Sequence, residues 1–328
     1  MSSMQSAGEF LYLTRAQVEA AMPPPREFEA AIESAFAGLA SGAASCPNHS
    51  RIDTQPGTFF QAMPARVDAA RTVGMKWVCV ATNSDNARPE PNINGIIVVN
   101  DLETAVIKAV MDGDLITALR PAMVSLVGAR RLARADSSRI GFIACGVQAR
   151  AHFDALVTEF PLTHATCYSR TPATAQAFAN ELRERGIDAR AVTEPREAIE
   201  GHDFVVTSIP GSKGLQPYLD PAWIDPGTCV LAADLARCWF PEPLDSIDVM
   251  VADSREACRD AAAHGRIRWK GEFHAELSQL VTGAHPGRTS ASQRTLILHP
   301  GLGLGDVAIA ALVVARARAM GLGTLLAR

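Results

Sequence analysis

Arg139 to Arg170 holds the side chains and spacing best suited to ligand chemistry in this chain. It reads apolar run, glycine turn, helix, apolar run. Residues 140–144 have the length and apolarity of a buried strand, and Cys145-Gly146 makes a tight turn. Helical spacing follows from Val147 through Ala151, Phe153, Leu156 and Val157, and residues 165–168 form a second strand. This is the first half of a βαβ unit whose helix N-terminus would present backbone N–H groups to a pyrophosphate. The three glycine positions of the dinucleotide fingerprint fall on Ala144, Gly146 and Ala149. A side chain at Gly146 would block the approach of backbone to phosphate, and alanine at the third position is a usual variant. Ala144 departs from the pattern. An ordinary strand–turn–helix without a ligand is the alternative reading.

About 20 residues after the glycines, NAD-binding units carry an acidic residue that accepts from the ribose hydroxyls. Here Ser169, Arg170 and Thr171 occupy that place. A guanidinium and two hydroxyls can donate to a 2′-phosphate, so NADP(H) is favoured and NAD(H) is possible. The competing reading makes Arg170 a solvated surface residue and Thr171 the N-cap of a helix opening at Pro172. Asp234 directly follows an apolar run at 229–233, and Thr207, Ser208 and Ile209 end another at 204–209. Open α/β sheets place ligands at the carboxyl ends of their strands, so the latter three are expected to line the nicotinamide ribose. A capping or loop aspartate is the alternative for Asp234. Lys76 lies inside Met75-Lys76-Trp77-Val78, an otherwise buried-looking strand where an unpaired ammonium would be costly.

Three zones position these groups. Up to about Arg120, a helix at 27–39 mixes with candidate strands at 58–63, 75–81, 94–100 and 106–111, interrupted by a Pro/Asn-rich loop at 83–94. The second zone continues with strands at 189–192, 204–209, 229–233 and 249–252, then helices at 254–263 and 272–281. Apolar runs without alternation indicate strands covered on both faces, hence a parallel doubly wound sheet. The third zone is a Gly-rich segment at 300–305 opening an Ala-rich helix from Asp306 to about Met320.

A chain of 328 residues suffices for two domains with full cores. Net charge is −4 without a basic tract, which disfavours a nucleic-acid surface. The seven cysteines are scattered with no C-x-x-C pair, several of them inside apolar runs, as in a protein of the reducing cytoplasm. Residues 1–10 show no basic stretch leading into an apolar core, so no secretory leader is expected there. The apolar segment at 307–314 is too short to span a bilayer. The eight histidines show no H-x-x-x-H or other paired-ligand spacing, so no metal is expected.

Taken in order, several fragments give the chain a family resemblance. They are Met63-Pro64 closing an apolar strand, Gly74-Met75-Lys76, Asn94-Gly95 leading to Asn100-Asp101, and Asp112-Gly113 through Thr117-Ala118-Leu119-Arg120. Gly146-Val147-Gln148-Ala149, Asp234, and Gly305-Asp306 opening a helix that ends Ala-Met-Gly-Leu-Gly-Thr complete the set. Over nearly its whole length the chain resembles the ornithine cyclodeaminase/mu-crystallin family. The resemblance implies a Rossmann-type dinucleotide-binding domain at 121–305. It also implies a discontinuous mixed α+β domain, 1–120 with 306–328, that binds substrate and dimerises. Ala144, Gly146, Val147 and Gln148 would form the nucleotide turn. Arg51, Lys76 and Arg120 match basic positions that hold a substrate α-carboxylate, with surface or salt-bridging roles as the alternative for the two arginines. Asp234 matches the carboxylate that contacts the substrate nitrogen and transfers a proton.

Two departures matter. Gln61 stands where true cyclodeaminases carry a glutamate, and an amide can neither act as a base nor neutralise a diamine side chain. After Asp234 the chain reads Leu-Ala-Arg-Cys-Trp-Phe-Pro-Glu, more apolar than the family's usual run. The leading expectation is therefore an NAD(P)-dependent oxidoreductase acting on an α-amino acid, a ketimine or a cyclic imino acid, in a cytoplasmic homodimer. The alternatives are an ammonia lyase with transiently reduced NAD and a non-catalytic, mu-crystallin-like nucleotide binder. Net consumption of reduced cofactor separates them.

Overall fold

Long strands that alternate buried and partly exposed positions form the centre of one sheet of this protein, and short, mainly buried strands form the centre of another. The computed structural model describes residues 8–55, 57–81, 92–211 and 214–328. The chain divides into two compact units, Met1–Arg120 with Leu302–Arg328, and Pro121–Gly301.

The first unit contains strands β1 (Glu9–Leu13), β2 (Ala44–Ser45), β3 (Ser50–Gln55), β4 (Thr58–Val67), β5 (Thr72–Ala81), β6 (Ile93–Asp101) and β7 (Ile107–Asp112), with helices α1 (Arg15–Ala20) and α2 (Pro25–Ser41). Helix α3 (Asp114–Leu132) begins there and continues into the second unit. The second unit alternates β8 (Arg139–Ile143), α4 (Val147–Leu156), β9 (His164–Tyr168), α5 (Pro172–Glu184), β10 (Asp188–Val192), β11 (Phe204–Thr207), β12 (Cys229–Ala232) and β13 (Val249–Ala252). It ends with α6 (Arg255–Ala263), β14 (Ala275–Glu276), α7 (Leu277–Val281) and β15 (Thr295–Leu298). Helix α8 (Gly303–Ala319) and β16 (Thr324–Ala327) return to the first unit.

The first unit's sheet has the order β16-β1-β7-β6-β5-β4-β2, with β3 also on β4. In β4, Gln61, Met63, Ala65 and Val67 are buried, and in β5 Thr72, Gly74, Lys76 and Val78 are. This period-2 pattern gives the sheet one inward face, which α8 covers. A Cβ at Gly74 would meet Val307, and one at Gly303 would meet the Met63 backbone, so these glycines let α8 lie flat on β4 and β5. The helix is buried continuously from Gly303 to Ala310. Each fully buried Leu, Ile or Val there contributes about 1.5–3 kcal/mol.

The second unit is an all-parallel sheet of order β10-β9-β8-β11-β12-β15-β13-β14. Its four-residue strands β11, β12, β13 and β15 are buried along their whole length. Chain order reverses direction between β8 and β11, the point at which doubly wound sheets bind nucleotides.

Several expectations need correction. Among its described residues, the first unit has β1, β2, β3 and β16 in addition to the expected strands. The helix at 272–281 is only Leu277–Val281, because Ala275–Glu276 pairs with β13 first. Strand 204–209 stops at Thr207. Helix α8 starts at Gly303, not Asp306, which places both Gly305 and Asp306 in its first turns. The loop at 83–94 lies mostly outside the described residues.

Candidate active site residues

In the first unit, Met63 pairs with Lys76 and Gln61 with Val78, so Gln61 and Lys76 share the inward face. Arg51 sits opposite Gln61 across β3 and β4. Lys76 is 1% exposed, and its Nζ donates to Asp306 Oδ1 at 2.8 Å. Arg120 Nε lies 3.5 Å from Asp306 Oδ2, and neither atom makes a hydrogen bond. A Cβ at Gly305 would strike Cγ and Cδ of Arg120, so glycine there lets the arginine stem lie along α8. Burial lowers the Lys76 pKa below the usual lysine value, Asp306 raises it, and Arg120 lowers it further. Two buried cations thus share one carboxylate and keep one positive charge in surplus. Thr117, one turn before Arg120 on α3, also has a buried hydroxyl with no hydrogen-bond partner.

Arg51 does not join this group. Its Nη2 contacts Asp53 Oδ1 at 2.7 Å, and its guanidinium lies 3.6 Å from the centre of the Phe59 ring. Gln61 Nε2 donates to His49 Nδ1 at 2.5 Å. Sequence reasoning gave no role to Asp306. The signal was present, because two cations in apolar elements demand an anion.

In the second unit, Gly146 follows β8 and caps α4 with an extended φ of −92°. A Cβ built there meets nothing within 4 Å, so the chain itself does not require glycine at this position. That open space lies at the N-terminus of α4, whose first-turn N–H groups have no acceptor within the helix and where a phosphate could approach the backbone. Ala144 takes φ +74°, the left-handed conformation that the fingerprint normally gives to glycine. The tight turn therefore forms with alanine, at a cost of about 1–2 kcal/mol. Arg150 Nη1 donates to the carbonyls of Cys145 and Gly146 at 2.8 and 3.2 Å, tying down the acceptors of the turn. Val147 is exposed and Gln148 half-buried.

At the end of β9, Ser169 is half-buried and Arg170 and Thr171 are exposed. Thr171 occupies the N-cap of α5 but makes no side-chain cap bond. Thr207 is fully buried with its hydroxyl on Asp234, so it stands behind the carboxyl edge and does not line it. Ser208 and Ile209 are half-buried.

Asp234 is 3% exposed and accepts four hydrogen bonds. Oδ1 takes Thr207 Oγ1 at 2.8 Å and Ala236 N at 3.1 Å. Oδ2 takes Ile209 N at 3.3 Å and Cys238 Sγ at 3.1 Å. Leu235 and Ala236 follow at φ +64° and +53°, a left-handed pair that the Asp234 bond to Ala236 helps to hold.

The sequence profile of the ornithine cyclodeaminase/mu-crystallin family matches residues 10–321. The chain belongs to that family. A Rhizobium meliloti protein named as a dehydrogenase is 33% identical over 331 residues, 95% of this chain and 97% of its own. The fold is similar to that of an archaeal alanine dehydrogenase dimer with bound NAD, at 27% identity and TM-score 0.86, covering 97% of this chain and 99% of that one. It is also similar to Thermococcus litoralis Delta(1)-pyrroline-2-carboxylate reductase in complex with NADH and L-proline, at 28% identity and TM-score 0.84, covering 96% and 99%. Among the described residues, no helix is long and apolar enough to cross a membrane, and no group of three or more His, Cys, Asp or Glu is placed to hold a metal ion.

Proposed function

We propose that this protein is a nicotinamide-dependent oxidoreductase that reduces the C=N bond of an α-imino acid, or oxidises the corresponding amino acid. The surplus positive charge of the Lys76–Arg120–Asp306 cluster carries this reading. A buried surplus cation with unspent hydrogen-bonding capacity calls for an anion, and a substrate α-carboxylate supplies one. The relatives that span the chain include an alanine dehydrogenase and a pyrroline-2-carboxylate reductase, both acting on such carbon–nitrogen pairs.

The open space at Gly146 and the first turn of α4 fit a pyrophosphate. The bound nicotinamide supplies or accepts the hydride. Lys76 and Arg120 hold the carboxylate and so fix where Cα lies. Asp234 is the candidate proton carrier for the substrate nitrogen. Its longest contact, to Ile209 N at 3.3 Å, is the one that a substrate N–H would replace. Arg170 with Ser169 favours NADP(H). Gln61 offers an amide at its place on β4, which cannot neutralise a second ammonium and so disfavours diamino acids.

A homodimer is part of the proposal. The second face of the first unit's sheet carries Phe60, Trp77, Ile96, Val98 and Val110, and Phe60 stacks on Trp77 with ring centres 6.0 Å apart. Ile96 is 44% exposed. A second copy covering this face would bury it, so an apolar face, and not an open strand edge, is the reason to dimerise. Light scattering at micromolar concentration should give twice the chain mass, and Trp77→Glu should give the single mass.

The test of function is a panel of cyclic imines, and of α-keto acids with amines, followed by NADPH and NADH absorbance. Loss of absorbance with a carboxylate-bearing imine supports the reading. No turnover with any of them contradicts it.

A further inference from the structure

Three buried polar side chains in the second unit have no part in the scheme above. Ser125 lies on α3, His152 on α4, and His299 directly after β15. Ser125 and His152 are fully buried and His299 is 4% exposed. The Ser125 hydroxyl is 2.9 Å from His152 Nε2 and 2.9 Å from His299 Nε2. His152 Nδ1 is 2.7 Å from the backbone oxygen of Gln148, the second residue of α4.

The proton positions follow from these contacts. A carbonyl oxygen only accepts, so His152 Nδ1 must carry the proton that Gln148 receives. Burial pushes the His152 pKa down to about 4, which leaves the ring neutral and its Nε2 an acceptor. The Ser125 O–H must then donate to His152, which leaves its oxygen lone pairs for His299. His299 Nε2 therefore carries a proton and donates to Ser125. The reverse direction would set an unprotonated His152 Nδ1 against the Gln148 carbonyl. A nucleophilic Ser–His pair is excluded, because no substrate reaches a serine with zero exposure and a base of such low pKa would not activate it.

The chain joins two parts of the carboxyl edge. β15 is paired with β12 such that Leu298 lies opposite Ala232, which puts His299 one strand from the Asp234 turn. At its other end, Gln148 belongs to the first turn of the phosphate-facing helix. We propose that Ser125, His152 and His299 are positioning residues for the cofactor, forming a hydrogen-bond chain of one fixed direction that locks the first turn of α4 to the end of β15. The proposal rests on the nucleotide reading of Gly146. His152 is neutral with its proton on Nδ1, and His299 carries a proton on Nε2.

Two measurements test it. Long-range proton–nitrogen correlation spectra of the unmodified protein at neutral pH should show His152 neutral with its proton on Nδ1 and His299 protonated on Nε2. Protonation of His152 on Nε2, or of His299 on Nδ1 alone, would overturn the chain. Calorimetric titration of Ser125→Ala and His299→Leu with NADPH and NADH should give Kd raised about tenfold. His299→Gln, which keeps a donor for Ser125, should restore most of the affinity. If Ser125→Ala does not fold, the His299 pair decides. Folded variants with lower thermal stability but unchanged cofactor Kd would make the network structural only and overturn the positioning role. An unmodified protein that binds neither nucleotide would sink the cofactor reading itself, a result distinct from an unchanged Kd.

Discussion

Asp306 in the first unit and Asp234 in the second are both buried carboxylates, and their surroundings are opposite. Asp234 faces four donors without a formal charge, a hydroxyl, two backbone amides and a thiol, and all are within hydrogen-bond distance. Asp306 faces two cations, yet its Oδ2 accepts nothing. The first arrangement spends its hydrogen-bonding capacity on holding a strained turn in place. The second leaves a positive charge and the Arg120 Nε donor unspent, which is what a site for an anionic ligand needs before the ligand arrives. Binding capacity in this protein is therefore legible as an incomplete account, and positioning as a complete one.

If Asp234 also carries a proton, Asp234→Asn should lower kcat by about 10²–10⁴-fold. Asparagine keeps the size but turns an NH₂ toward two of the four donors, so folding must be checked by thermal melting. Nucleotide affinity should change little. A folded, nucleotide-binding Asp234→Asn enzyme with the unmodified rate would make Asp234 wholly structural.

Asp306→Asn should cost about 3–5 kcal/mol of unfolding free energy, because it leaves two buried cations without their anion. Urea denaturation measures this. Lys76→Met removes the surplus charge while leaving the Arg120–Asp306 pair. It should therefore raise KM by at least about tenfold, with a smaller loss of stability than Asp306→Asn. Equal stability losses for the two would contradict the difference drawn between them.

The same surplus charge predicts a pH dependence. Carboxylate binding needs Lys76 protonated, and its pKa lies below the usual lysine value. Affinity for a carboxylate competitor that does not titrate between pH 6 and 10, such as 2-furoate, should therefore be full at low pH. It should fall as pH rises through the Lys76 pKa, starting earlier than for an ordinary lysine. Flat affinity across that range would show that Lys76 does not meet the anion.

The turn at Gly146, Lys76 and Asp234 stand out in the sequence because each breaks a local pattern. Gly146 interrupts a strand–helix junction, Lys76 interrupts an apolar strand, and Asp234 ends one. Other features left weaker traces. β3 is a mostly exposed polar strand, Ser50–Gln55, recognisable only through its pairing with β4. β15 is four residues long, and α3 contains Pro121, which reads as a helix stop. Asp306 joins Lys76 across 230 positions, a contact that no local spacing encodes. The Ser125–His152–His299 chain is equally non-local, and isolated histidines give no hint that they share one serine.

The smallest expected effect concerns the phosphate end of the cofactor. Ser169 and Arg170 have no acidic neighbour at 171, although Glu194 lies just past β10, where Val192 pairs with Tyr168. NADPH should bind more tightly than NADH, and Arg170→Ala should reduce the preference about tenfold, the worth of one charge-assisted contact. Equal or better NADH affinity in the unmodified protein would reassign the edge to Glu194.

The proposed reaction brings a free carboxylate on an imine to Lys76 and Arg120 while a nicotinamide delivers hydride. Its most direct test compares a cyclic imino acid with its methyl ester, following oxidation of NADPH and NADH by the unmodified enzyme and by Lys76→Met. The acid should turn over with at least about a tenfold higher kcat/KM than the ester in the unmodified enzyme, and Lys76→Met should narrow that gap. An ester reduced as fast as the acid, or an acid that oxidises neither cofactor, would contradict the account.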